Sequence, residues 1–179
     1  MCGIAAYLGT EQAFPLLSLA LEKLEYRGYD SAGVAVVDAD GEIHLTKTIN
    51  KVESLCRNDS GITMVSNVGI AHTRWATHGS PTLLNAHPHI DCDKKISVVH
   101  NGIIENFVEL KNQLIQQGHE FASETDSEVI AHLLEQQMKE GLDFERAFLT
   151  LNHSLKGSQA IVAVNASKDP IICALRTGY

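Results

Sequence analysis

Met1-Cys2-Gly3-Ile4-Ala5-Ala6-Tyr7-Leu8 opens the chain as an apolar run closed by Gly9, the pattern of a short buried strand. Methionine is usually clipped when a small residue follows it. Cys2 then becomes the terminal residue and carries a thiol beside a free α-amine. An α-amine has an unperturbed pKa of about 7.7–8.0, so part of it is free base at neutral pH. A thiol attacks as thiolate and needs a base beside it. One residue can thus supply nucleophile and base together without a catalytic histidine, although a cysteine near the start of a chain often has no such role.

The 179 residues suit one domain, and 44% hydrophobic content with 20% charged allows a real core. A net charge of −8, from 22 acidic against 14 basic residues, disfavours phosphate backbones, so no nucleic-acid partner is expected. Cys2, Cys56, Cys92 and Cys173 are widely spaced with no C-x-x-C pair, which predicts free thiols in a reducing compartment. The apolar run at 13–21 lacks a basic region before it, contains Pro15 and flows into Glu22-Lys23-Leu24-Glu25, unlike a signal peptide. No run approaches a membrane span, and the expected location is the cytoplasm.

Outward from the first strand, Phe14, Leu17, Leu21 and Leu24 recur at helical spacing, a helix that stops before Gly28. Tyr26-Arg27-Gly28-Tyr29-Asp30-Ser31-Ala32-Gly33 reads as a polar, glycine-flanked loop. Strands at 34–37 and 43–48 flank Asp38-Ala39-Asp40-Gly41, which reads as a turn; the remaining positions of a calcium loop are absent. A short helix at 51–57, a loop at 58–61 and a buried strand at 68–73 follow. Residues 74–93 form a long irregular stretch with Gly79, Pro81 and Pro88, of the length that functional lids have. Lys95-Ile96-Ser97-Val98-Val99-His100 is strand-like and runs into Asn101-Gly102.

A helix at 107–117 is closed by Gly118, and a second opens with the capping box Thr125-x-x-Glu128. A third starts at Asp143, and strands at 158–165 and 171–176 close the chain. The mixture fits a layered α+β domain better than a doubly wound parallel one. The chain stops just after a strand, at Thr177-Gly178-Tyr179, so a fold cut before completion is expected.

Four constellations carry chemistry, each with a plain structural alternative. Arg74-Trp75-Ala76-Thr77-His78-Gly79 sits where a strand ends, and its arginine offers a planar fork for a carboxylate. A salt-bridged strand end with a core tryptophan is the alternative. Asn101-Gly102, taken alone, reads first as a type I′ turn; an oxyanion hole of the Asn101 amide and the Gly102 N–H is the alternative. Asp126, as the first helical residue after a Thr125 cap, is explained by the helix dipole and is equally placed to hold a ligand's ammonium. His87-Pro88-His89 with Cys92 matches no common zinc spacing, and no metal is expected. Pairing of Cys2 with His72, His78 or His100, as in thiol proteases, stays open.

Cys-Gly-Ile at 2–4, then LEYRGYDSAG, HTRWATHG, NAHPH, VVHNGIIENF and SETDSEVI, in that order, resemble the glutamine amidotransferase domains of glucosamine-6-phosphate synthases, which are class II, N-terminal-nucleophile glutaminases. The resemblance runs from Cys2 to about Arg176. It implies a four-layer αββα sandwich and hydrolysis of L-glutamine to glutamate and ammonia without a cofactor. In it Cys2 is the nucleophile, Asn101 and Gly102 form the oxyanion hole, Arg74 clamps the substrate carboxylate and Asp126 its ammonium. Thr77 and His78 complete the pocket, Trp75 gates it in a closing loop, and Arg27 supports the terminus. The resemblance further implies an isomerase domain that uses fructose 6-phosphate, absent from these 179 residues, and a homodimer of the full-length enzyme. The glutaminase of a phosphoribosyl-pyrophosphate amidotransferase, and a non-catalytic remnant that binds glutamine or a partner, are the competing readings.

Overall fold

Two four-stranded antiparallel sheets face each other, and each is covered on its outer side by helices. In this computed structural model the described residues are 2–28, 30–58, 66–75 and 80–178, the side chains of residues 27 and 56–58 excepted. Strand β1 (Gly3–Leu8) is followed by helix α1 (Ala13–Leu24), a 3-10 turn at Glu25–Arg27, strands β2 (Ser31–Val37) and β3 (Ile43–Thr48), helix α2 (Glu53–Asn58) and strand β4 (Val68–Arg74). Strands β5 (His89–Ile90) and β6 (Ile96–Gly102), helices α3 (Phe107–Gln116), α4 (Glu128–Lys139) and α5 (Phe144–Ser154), and strands β7 (Gln159–Asn165) and β8 (Ile172–Arg176) complete the order. The first sheet runs β1-β4-β2-β3 and the second β5-β6-β7-β8.

Strand alternation explains the layers. In β2, Ala32, Val34 and Val36 pack with Leu17 and Leu21 of α1 and Leu55 of α2, whereas Ala35 and Val37 face the other sheet beside Val68, Ile70, Val99 and Val164. All seven β2 residues are buried, because this inner strand is covered on both faces; antiparallel strands more often show water one face. In the second sheet Ile96, Val98, Ile161 and Ala163 pack against Leu134, Phe148 and Leu151 of α4 and α5. Leu17 and Leu21 are almost fully buried, worth about 2 kcal/mol each from area removed from water. The arrangement is the expected αββα sandwich.

Differences from expectation have local causes. The supposed polar loop before residue 34 is shorter, since β2 begins at Ser31 and pairs with Arg74. A β-carbon on Gly33 would stand 2.2 Å from the His87 carbonyl oxygen, so only glycine lets residues 87–88 press onto β2. That contact in turn brings His89–Ile90 beside Val98 and Ser97, an unforeseen short strand inside the long irregular stretch. The expected loop at 58–61 lies outside the described residues beyond Asn58. The 38–41 turn is as read, with Asp38 Oδ1 accepting the Asp40 and Glu42 N–H groups at 2.9 Å each. Asp143 caps α5 by accepting the Arg146 N–H at 2.8 Å, worth about 1 kcal/mol.

Candidate active site

The antiparallel register Gly3↔Thr73 places the start of β1 beside the end of β4. Continuing it by one residue sets Cys2 next to Arg74. The Gly3 N–H donates to Thr73 Oγ1 at 3.1 Å, which pins the strand that carries Cys2. Trp75 follows β4, and its backbone N–H donates to Cys2 Sγ at 3.2 Å while its carbonyl lies 3.7 Å from the same sulfur. The Trp75 side chain is 45% exposed, so its backbone rather than its ring addresses the thiol.

The second sheet supplies the opposite wall. Asn101 and Gly102 are the last residues of β6, paired with Ala160 and Gln159 of β7, so the type I′ turn reading does not hold. A turn cannot form where both residues are held in a ladder. Asn101 Nδ2 donates to the Cys2 carbonyl at 3.2 Å. His72 Nε2 lies 2.8 Å from Asn101 Oδ1, which can only accept, so this nitrogen carries the proton. Burial pushes the His72 pKa down to about 4, and the ring is neutral at physiological pH. The bond fixes which end of the Asn101 amide faces Cys2. Gly102 has φ of +145°, and a β-carbon there would stand 2.3 Å from the Ser158 carbonyl oxygen, so no other residue fits without strain.

Asp126 lies between the two. Its Oδ2 accepts the Ile104 N–H at 2.8 Å and its Oδ1 the Ser127 hydroxyl at 3.2 Å, leaving a further lone pair on each oxygen for a cation. It does not open α4: that helix begins at Glu128 after Ser127, without a side-chain cap bond, and the expected Thr125 capping box is absent. Glu128 is 3% exposed and instead accepts the Ala122 and Ser123 N–H groups at 2.8 and 2.7 Å and the Ser123 hydroxyl at 2.6 Å. Burial alone would raise its pKa, but the nearby His132 ring and hydrogen bonds from Ser123 and Ala122 hold it down at about 2. Thr125 Oγ1 pairs with His89 Nε2 at 3.0 Å. Tertiary donors have outcompeted the local ones.

One pocket is lined by Cys2, Arg74, Trp75, Asn101, Gly102 and Asp126, with His72 and His100 behind them. Arg74 is 5% exposed; burial lowers its pKa, while the neighbouring Asp30 and Asp126 carboxylates pull the other way. Thr77 and His78 and the side chain of Arg27 lie outside the described residues, as does Met1. His100 bonds Ser127 Oγ and Gln159 Oε1, and His72 bonds Asn101, so neither histidine is bonded to Cys2 as a protease pair would require. His87 stacks on His72 with ring centroids 4.2 Å apart, His89 turns to Thr125, and Cys92 faces His119 and His132. The His87-Pro88-His89 and Cys92 set is therefore not one cluster. Sequence reasoning missed His72 as the partner of Asn101; its place two residues before Arg74, on the same strand face, was the available signal.

Among the described residues no helix is long and apolar enough to cross a membrane. Residues 33–162 match a family model described as the glutamine amidotransferase domain. Cys2 lies before the matched range, but full-length relatives align over nearly the whole chain. Glutamine–fructose-6-phosphate aminotransferase (isomerizing) of Pyrococcus horikoshii is 49% identical over 170 residues, 95% of this chain and 28% of the relative. Its namesake in Methanothermobacter thermautotrophicus is 48% identical over 171 residues, again 95% and 28%. The chain thus spans under a third of the length of these relatives. A solved glutamine phosphoribosylpyrophosphate amidotransferase from B. subtilis superposes with a TM-score of 0.80 over 97% of this chain and 37% of that one, at 23% identity, a likeness of fold. The chain belongs to the glutamine amidotransferase domain family and shares the fold of that solved amidotransferase.

Proposed function

We propose that the chain hydrolyses L-glutamine to glutamate and ammonia, with Cys2 as nucleophile. The observation that carries the reading is the Asn101 amide, locked by His72 and aimed at Cys2, in the same pocket as Gly102, Arg74 and Asp126. After loss of Met1, the Cys2 sulfur attacks the side-chain amide carbon, and the α-amine, through a water, takes the thiol proton. Asn101 Nδ2 has a second N–H beyond the one given to the Cys2 carbonyl, and with the Gly102 N–H it holds the tetrahedral oxyanion. The α-amine returns the proton to nitrogen, ammonia leaves, and a thioester remains. Water attacks the thioester, glutamate departs and the thiol is restored.

At the other end of the substrate, Arg74 clamps the α-carboxylate and Asp126 the α-ammonium, one charged partner for each charge. Thr77, His78 and Arg27 keep the supporting roles that the resemblance implies, and the loop around Trp75 closes the pocket. The whole chain acts as one glutaminase domain. Joined to an isomerase domain in a cytoplasmic, homodimeric full-length enzyme, its ammonia goes to fructose 6-phosphate.

Intact mass of the purified chain, before and after a glutamine-mimicking diazoketone, tests the reading. A mass lacking methionine and one adduct mapped to Cys2 are expected; retained Met1 with no adduct would overturn it. Arg74→Ala is expected to raise KM about 10- to 100-fold with a smaller change in kcat, because the lost contact is to the non-reacting end. Steady-state ammonia release measures both constants, and an unchanged KM takes Arg74 out of the substrate site.

A further inference from the structure

On the outer face of the second sheet, four metal-ligating side chains meet that no part of the glutamine site uses. Cys92 lies in the turn between β5 and β6, His119 in the segment between α3 and α4, and His132 and Glu135 one turn apart on α4. None of the four lines the glutamine pocket. Cys92 Sγ is 3.9 Å from His119 Nδ1 and 3.5 Å from His132 Nδ1. Glu135 Oε2 is 2.9 Å from His119 Nδ1 and 3.3 Å from His132 Nδ1. A zinc tetrahedron with Zn–S of about 2.3 Å and Zn–N or Zn–O of about 2.0–2.1 Å has S···N edges of about 3.6 Å and N···O edges of about 3.3 Å. The S···N edges bracket the first length, and the N···O edges lie at and just below the second.

The hydrogen-bond inventory sharpens the case. Gln136 Nε2 donates to Glu140 Oε1, so its Oε1 is left to accept from His119 Nε2 at 3.1 Å. A neutral His119 that donates from Nε2 presents a bare lone pair at Nδ1, and that atom faces a carboxylate oxygen at 2.9 Å. Two lone pairs at this distance require a proton or a cation between them. A proton on His119 would satisfy that one edge; a metal satisfies all four donors together. His132 Nε2, on the far side of its ring, looks toward Glu128 Oε1 at 3.6 Å. Both rings thus turn one nitrogen inward and the other toward an oxygen acceptor, as metal-bound imidazoles do. The other Glu135 oxygen is engaged by Lys139 Nζ at 2.6 Å, and burial leaves His119, His132 and Glu135 at most 4% exposed.

We propose that Cys92, His119, His132 and Glu135 bind one divalent transition metal ion, Zn²⁺, as a structural clasp. Sulfur, two imidazoles and a carboxylate suit zinc among the biological divalent cations, and four protein ligands leave no open position for chemistry. Burial pushes the Cys92 thiol up, so Zn²⁺ binding releases its proton. The clasp ties the β5–β6 turn and the segment before α4 to α4 itself. That segment carries Asp126, so the metal holds one wall of the glutamine pocket from outside.

Zn²⁺ titrated into metal-stripped full chain against a chromophoric chelator tests the site. One equivalent is expected to bind and to raise the melting temperature. Cys92→Ser and His132→Gln should each weaken binding by at least about 100-fold, beyond the usual effect of an outer-shell loss, while Cys2→Ala keeps it. Co²⁺ added to the unsubstituted chain should give thiolate-to-metal charge-transfer and intense tetrahedral d–d absorption, a readout that needs no variant. Absence of Zn²⁺ binding, binding that Cys92→Ser leaves unchanged, or a Co²⁺ spectrum without thiolate character would overturn the proposal and leave only a hydrogen-bonded histidine–carboxylate cluster. The glutaminase reading survives any of these results.

Discussion

Cys2→Ala is expected to abolish glutamine hydrolysis while leaving glutamine binding nearly intact. Loss of the nucleophile removes the covalent route, and the groups left behind can only polarise the amide for attack by water. A fall in kcat of about 10⁵-fold is expected, equivalent to about 7 kcal/mol of barrier. Binding is expected to survive because, in the proposed site, the charges of the substrate are met by Arg74 and Asp126, whose contacts to Ile104 and the strand end do not pass through the thiol. The backbone is equally insensitive: Gly3 is held by Thr73, and the Cys2 carbonyl by Asn101, whatever side chain residue 2 carries. Ammonia release and glutamine calorimetry on the same preparation read the two effects separately. Hydrolysis retained above about 1% would assign the nucleophile elsewhere.

The second large effect is at Asn101. In the proposed mechanism Asn101→Ala removes a donor from the developing oxyanion, and a loss of about 10²- to 10³-fold in kcat is expected, as in comparable acyl-transfer sites. KM should change little, since the amide oxygen carries full negative charge only in the transition state. His72 makes the effect specific. Its Nε2–H faces Asn101 Oδ1, so Asn101→Asp keeps that bond and sets a carboxylate oxygen where the donor stood. The aspartate variant is therefore expected to be at least as impaired as the alanine one, although it is the closer isostere. Equal kcat for Asn101→Ala and the unsubstituted chain would remove the residue from the oxyanion site.

The elements themselves were legible because their causes are local. The short apolar runs of β2 and β6, helical spacing of Leu17 and Leu21 in α1, and the start of α5 after Asp143 each depend on residues within a few positions. The chemistry-bearing residues Cys2, Arg74, Asn101, Gly102 and Asp126 were also named from the sequence, and the pocket collects all five. Misreadings fell where a side chain had a choice of partners. Asn101-Gly102 carries turn chemistry but is held in the ladder with β7. Thr125 and Glu128 carry capping chemistry, yet the carboxylate goes to the Ala122–Ser123 backbone and the hydroxyl to His89, which only the packed fold brings near.

Local pattern was enough to find the strands and helices other than β5, and to show which residue types are available to a nucleophilic site. Only the tertiary structure decided how those residues are wired. His72 and Asn101 are 29 positions apart and on different sheets, and Cys92 meets His132 across 40 positions. Such pairings follow from how two sheets and their helices bury their apolar faces, a global minimum that no window of sequence contains. Hydrogen bonds are then distributed among whatever donors and acceptors that burial has deprived of water.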